Sequence, residues 1–183
     1  QLGYSKVDSA FSLSFEAKDS VGISRGHSAK ANLFLYQGEA EKALTHFVEA
    51  LAFINTQDDL ELLQSYYSLA YCYDKMNEEA EAAYFFNKLL GLNITDPGYL
   101  PKSAYFKIMA DAYHYLDRFD DAEFFLTKFL NTPESQLSSF DLMEAHFMKG
   151  AIENSREADD VAKSHYLKSL EYGAKVNDTV LFP

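Results

Sequence analysis

Lys107, Asp111 and His114 come closer than any other residues of this chain to a reactive set. Spacings of four and three place an amine, a carboxylate and an imidazole on one face of a helix, where they could relay a proton. The same spacings equally build a salt-bridged wall, and no nucleophile or metal set accompanies the three. Carboxylates also pair, at Glu39 and Glu41, Glu78 and Glu79, Asp120 and Asp121, and Asp159 and Asp160. Such pairs could do acid/base work or hold a cation. Their recurrence at one place in a repeating unit instead reads as helix starts, where the N-terminal dipole favours negative charge. Among the histidines, His27 and His146 share one register, His46 and His165 share another, and His114 stands alone. No two lie on adjacent turns of one helix, so the reading is a repeat-surface role rather than ligation, and neither a metal nor a cofactor is expected.

Other chemical signatures are missing. There is no G-x-S-x-G elbow, no glycine-rich phosphate loop, no H-E-x-x-H and no C-x-x-C. Cys72 is the only cysteine, which excludes an internal disulfide; beside Leu69, Tyr71 and Tyr73 it reads as a buried thiol. Asn93-Ile94-Thr95 and Asn177-Asp178-Thr179 fit the glycosylation sequon, a three-residue pattern of little weight.

What positions these residues is repetition. A small residue recurs at Ala31, Ala70, Ala110 and Gly150, and an alanine at Ala43, Ala82, Ala122 and Ala162, both columns stepping by 39, 40 and 40. Two further columns keep time with them: Phe47, Phe86, Leu126 and Tyr166, and Phe11, Leu51, Leu90, Leu130 and Leu170. A period of this length is the mark of stacked helical repeats. Each unit holds two apolar helical segments separated by a polar turn at Gly38, Asn77, Asp117 or Glu157. The small columns let the two helices of a unit cross closely, and the large columns fill the space to the next unit. The fold class is therefore all-α, a right-handed solenoid of antiparallel helix pairs. Its expected divisions are a half repeat over 1–19, repeats over 20–58, 59–98, 99–138 and 139–177, and the start of a further repeat over 178–183.

The net charge of −12 repels phosphate backbones and anionic bilayers, which argues against nucleic acid as a partner. No apolar run approaches the ~20 residues needed to cross a bilayer, so no direct membrane insertion is expected. A soluble segment, cytoplasmic or periplasmic, fits. The start at Gln1 and the half units at both ends read as a processed chain or a piece of a longer array.

Tyr66, Leu69, Ala70, Tyr73, Ala82 and Phe86 resemble the tetratricopeptide repeat pattern, W-x2-L-G-x2-Y followed by A-x3-F. Phe106, Met109, Ala110, Tyr113, Ala122 and Leu126 follow it nearly as well. The period exceeds the family's usual 34, which calls for longer helices, looped links, or both. Looped links are expected at Asn93–Lys102, with Pro97, Gly98 and Pro101, and at Asn131–Ser139, with Pro133. Asp19, Asp59 and Asp178 share a register that fits tight, acid-capped boundaries.

The resemblance implies a concave groove lined by the first helix of each unit. Carried onto this sequence, the candidate ligand-binding residues are Asn32, Tyr36, Tyr67, Tyr71, Lys75, Lys107, Asp111, His114, Tyr115 and Phe147. Tyrosines at such a surface suit a protein or peptide partner, or a small ligand. The chaperone-tail clamp of the family is not matched, because Gln64, Tyr67 and Ser68 stand where its second unit needs lysine. The long unit resembles the input regions of bacterial signalling proteins. A ligand- or protein-sensing segment is the first functional expectation, a free-standing adaptor or scaffold the alternative, and enzymatic activity is not expected. Oligomeric state is not set by these features.

Overall fold

The computed structural model describes residues 2–56 and 58–181, with side chains over 6–56 and 58–176. The chain divides into two compact units, 1–96 and 97–183. The first holds α1 (Leu2–Glu16), α2 (Ser20–Tyr36), α3 (Ala40–Leu51), α4 (Asp59–Lys75) and α5 (Glu79–Leu90). In the second are α6 (Lys102–Tyr115), α7 (Phe119–Leu130), a short 3-10 turn (Glu134–Gln136), α8 (Ser139–Ser155) and α9 (Asp159–Leu181). The described residues contain no strand. This is an all-α helical repeat, in which α2/α3, α4/α5, α6/α7 and α8/α9 are the pairs and α1 precedes them as a lone helix of the second kind.

Each pair turns where the polar break was expected. Gly38, Asn77, Asp117 and Glu157 all take positive φ, between 56° and 76°. The residue after each donates its N–H to the carbonyl five positions back, closing a Schellman-type stop: Glu39 to Phe34, Glu78 to Tyr73, Arg118 to Tyr113 and Ala158 to Glu153. Lys18, which the sequence did not single out, makes the same turn at the end of α1, with φ 53° and Asp19 bonding to Ser14. A left-handed residue with a Cβ carries ~1–2 kcal/mol of strain, and a glycine there gives back ~0.4–1 kcal/mol through the looser unfolded chain. Glu157→Gly is therefore expected to stabilise the second unit by about 0.5 kcal/mol, read as a raised urea midpoint with unchanged slope.

The small columns lie at the helix crossings. Ala31, Ala43, Ala70, Ala82, Ala110 and Ala122 are completely buried, and Gly150 and Ala162 are buried with them. Ala31, Ala43 and Phe47 meet Leu69 and Cys72 in the first unit's core. Ala110, Ala122, Leu126 and Phe129 meet Ala145, Met148 and Ile152 in the second. Cys72 is the buried thiol it was read to be, and burial pushes its pKa up to about 12.

Three expectations need correction. Tyr166 is half-buried and Leu170 is 70% exposed, because no further first helix covers α9 among the described residues, whereas α4 covers Phe47 and α8 covers Leu126. The Tyr166 ring instead lies over Gly150, where an added Cβ would come within 2.7 Å of it. The extra length of the unit has both expected sources: α2, α4 and α8 have 17 residues against 12 in α3, α5 and α7, and looped links over 91–101 and 131–138 flank the 14-residue α6 and its partner α7. The cap of α4 is Asp58 rather than Asp59: its extended backbone lets its carboxylate accept from the Leu60 and Glu61 N–H groups at 3.0 and 3.1 Å. Asp178 lies within α9, which runs unbroken to Leu181; the rest of the expected further repeat, Phe182 and Pro183, is outside the described residues.

Candidate functional site

In the first unit, the C-terminal halves of α2 and α4 and the turn into α3 line a groove of about 390 Å3. Asn32, Leu35 and Tyr36 come from α2, Gly38 and Ala40 from the turn and the start of α3, and Tyr71 and Lys75 from α4. Helical spacing explains the selection: Asn32 and Tyr36 are four apart, as are Tyr71 and Lys75, so each helix presents one stripe. Because Gly38 ends α2 sharply, the chain leaves the wall without filling the groove. Tyr36 projects, 85% exposed. The Tyr67 ring stacks on Tyr71 at 6.4 Å and 28°, and the Lys75 ammonium sits 4.7 Å from the centre of the Tyr71 ring. The ammonium thus steadies the ring from one side and Tyr67 from another, a preorganised aromatic face with a positive edge.

The remaining candidates belong to the second unit. Lys107 bridges two carboxylates, Asp111 on its own helix and Glu144 on α8, each at 2.9 Å. That is the salt-bridged wall, and the amine is held as a cation between two anions. His114 leans on Phe119 at 5.8 Å, and burial lowers its pKa against the opposing pull of Asp111 and Asp117. Tyr115 is half-buried at the end of α6, and Phe147, 60% exposed, lies against Tyr166 at 5.7 Å. Beside them Glu123 of α7 receives Lys149 of α8 and Arg156, the residue after its end, whose hydrogen bonds hold its carboxyl below the usual range. Of the ten sequence candidates, the structure gathers Asn32, Tyr36, Tyr71 and Lys75 into one groove, with Tyr67 as a supporting ring.

The histidine registers hold a feature that sequence reasoning missed. His27 and His146 are buried, 8% exposed each, so a surface role fails for both. Each meets a histidine across its helix crossing: His27 and His46 at 3.2 Å, His146 and His165 at 3.0 Å, Nδ1 to Nδ1 in both. The signal was the shared spacing of 19, which is also that of the ring pairs Tyr66–Phe85 and Phe106–Phe125. In the second unit, burial pushes the His146 pKa down to about 4, helped by His165 and Lys168 and opposed by Glu134; His165 is lowered as well, first by burial and then by Lys168 and Lys149, against Glu153. A folded pKa below the unfolded ~6.5 means that the native state holds the neutral ring. This contribution to stability is complete above pH 6.5 and is lost as pH falls towards 4. After discounting for water at the rim, the loss is about 1–2 kcal/mol. Denaturant melts at pH 7 and pH 5 should show it, and His146→Phe, which installs the Phe106 solution, should flatten that part of the profile.

No family model matches the chain, and no curated protein matches it. Solved structures do. BtubC (BKLC) from P. vanneervenii superposes with a TM-score of 0.61 at 21% identity, over 93% of this chain and 70% of that one. MamA, a tetratricopeptide-like protein, superposes with a TM-score of 0.52 at 14% identity, over 94% of this chain and 89% of that one. At these identities the likeness is one of fold: a tetratricopeptide-like helical repeat.

Proposed function

We propose that this chain is a non-enzymatic binding module that holds an extended segment of a protein partner in the groove of its first unit. The observation that carries the reading is the convergence of Asn32, Tyr36, Tyr71 and Lys75 on one open groove. Ring faces take apolar or aromatic side chains, the Asn32 amide can pair with a strand-like backbone, and the Lys75 ammonium favours a nearby carboxylate. A slot of this kind selects for length and for one or two anchors, as peptide recognition does. The fold likeness to a tetratricopeptide-like protein supports a protein partner. In the second unit, the Lys107, Asp111 and His114 set supports structure over catalysis, because Lys107 is committed to two carboxylates.

In finer terms, the module serves as the sensing segment of a larger signalling protein, on the strength of its long repeat unit. A free-standing adaptor would use the same groove. Peptides selected from a random library on the full chain test the reading: their affinity should fall in a Tyr36→Ala, Tyr71→Ala variant of unchanged helicity. Selected peptides indifferent to both substitutions would place the binding surface elsewhere.

A further inference from the structure

The first of the histidine pairs has a third member. Glu49, one turn after His46 on α3, brings Oε2 to 2.9 Å from His27 Nδ1 and 3.0 Å from His46 Nδ1, while the two nitrogens are 3.2 Å apart. Three donor atoms therefore form a nearly equilateral triangle. The edge of a tetrahedron whose centre lies ~2.0–2.1 Å from each corner is about 3.3 Å, the geometry of zinc with imidazole and carboxylate ligands.

Protons satisfy this triangle poorly. If both imidazoles donate from Nδ1 to Glu49, two N–H groups point into one space and the contact between the nitrogens is repulsive. If one accepts from the other, that acceptor has no proton to give the carboxylate. A cation at the centre uses both lone pairs and the anionic oxygen at once, with each ring proton moved to Nε2.

The rings are also fixed in place. His27 stacks on Phe53 at 6.0 Å and 11°, with Phe11 edge-on at 4.6 Å. Phe34 stacks on His46 at 5.5 Å and 6°. Aromatic packing thus holds both imidazoles before any ligand arrives, which lowers the ordering cost of ligation. The nearby Lys30 charge is paired with Asp8 at 2.8 Å and lies over the Phe11 ring.

The other repeats act as internal controls. The columns of the triangle read His27, Tyr66, Phe106, His146; then His46, Phe85, Phe125, His165; then Glu49, Lys88, Lys128, Lys168. In the two middle repeats the lysine lies over the first-column ring, Lys88 over Tyr66 at 5.6 Å and Lys128 over Phe106 at 5.5 Å. In the last repeat both histidines return, yet the third column holds Lys168, whose charge opposes a cation. Only the first repeat replaces that lysine with a carboxylate.

We propose that His27 Nδ1, His46 Nδ1 and Glu49 Oε2 form a three-ligand site for a divalent cation of the zinc class, completed by water. The opening faces outward, since Glu49 and His46 remain 47% and 25% exposed at their side chains while His27 anchors the inner corner at 10%. Bound metal would join α2 to α3 across the first crossing. The site shares no residue with the groove and does not rest on the binding reading.

The test is titration of the full chain with Co2+, followed by displacement with Zn2+. The expected result is one equivalent of Co2+ with the intense visible bands of tetrahedral coordination, lost when Zn2+ is added. His46→Phe borrows the residue of Phe85 and Phe125, and Glu49→Lys borrows that of Lys168, so both variants suit this fold. Each should weaken binding at least about 100-fold, since even an outer-shell partner is worth 10–100-fold. His165→Phe should leave it unchanged. Absence of the bands in the unaltered chain overturns the proposal. Uptake that survives His46→Phe and Glu49→Lys, as adventitious binding at exposed carboxylates would, or that vanishes in His165→Phe, overturns it too.

Discussion

Replacing Phe129 by alanine is expected to remove about 3–5 kcal/mol from the second unit, the usual cost of emptying a fully packed aromatic site. Phe129 is 2% exposed on α7 and sits among Ala110, Leu126, Ala145, Met148 and Ile152. Little in that set can fill the space: two neighbours are alanines, Leu126 and Ile152 are themselves at most 1% exposed, and Met148 alone has the flexibility to relax towards it. A domain holds only ~5–15 kcal/mol in total, so the substitution should leave the second unit partly unfolded at 37 °C. Phe124→Ala is the control, five positions earlier on the same helix. Its ring is 55% exposed, with the Lys128 ammonium 4.3 Å from its centre and the Phe125 ring edge-on at 5.2 Å, so its loss should cost about 1 kcal/mol. Urea melts followed by circular dichroism will separate the two. Equal effects would show that α7 does not bury the face assigned to it.

In the groove, Tyr36→Ala combined with Tyr71→Ala is expected to weaken a bound peptide by more than about 2 kcal/mol, roughly 30-fold in Kd. Tyr36 is the most exposed large apolar side chain among the described residues, and Tyr71 is held by Tyr67 and Lys75. Their contributions should differ in kind. Truncating Tyr71 also removes the support of its neighbours, so the loss should appear in the dissociation rate; Lys75→Ala should chiefly reduce the association rate and its dependence on salt. Isothermal titration and stopped-flow measurements on one selected peptide give all three numbers.

The repeat was legible because it is written in columns that packing constrains on both sides. Ala82 and Ala122 are fully buried at their helix crossings, where a larger side chain would overpack, so period, helix order and turn positions could be read directly from their spacing. Turn residues were legible for a related reason: Gly38, Asn77 and Asp117 are types that tolerate positive φ, and register then located Glu157. Lys18 carries no such mark, and the positive φ and sixth-to-first hydrogen bond of its turn reveal it. Asn32, Tyr36, Tyr71 and Lys75 could be placed on one groove because the resemblance assigns a first-helix register, and a stripe at helical spacing survives any small rotation of the helix. The histidine pairs were not. Whether His27 meets His46 depends on the rotation of α2 against α3 to within one side chain, and periodicity fixes a register without fixing that angle. Asp58 and Asp59 were confused because a cap is defined by one extended backbone residue, a finer distinction than helical spacing contains.

The Schellman-type stops bear on how this chain trades hydrogen for deuterium. Asp19, Glu39, Glu78, Arg118 and Ala158 lie in connections, where amides ordinarily exchange on contact with solvent. Here each is bonded to a carbonyl five residues back at 2.9 to 3.0 Å. Their exchange then requires the last turn of the preceding helix to open, so these linker amides should keep the slow clock of a helix end, while the neighbouring exposed positions run at the rate of an open loop. The boundaries between helices thus fray later than the link at Asn93–Thr95, and the first motions of each unit to be seen by mass spectrometry belong to the long links rather than to the tight turns.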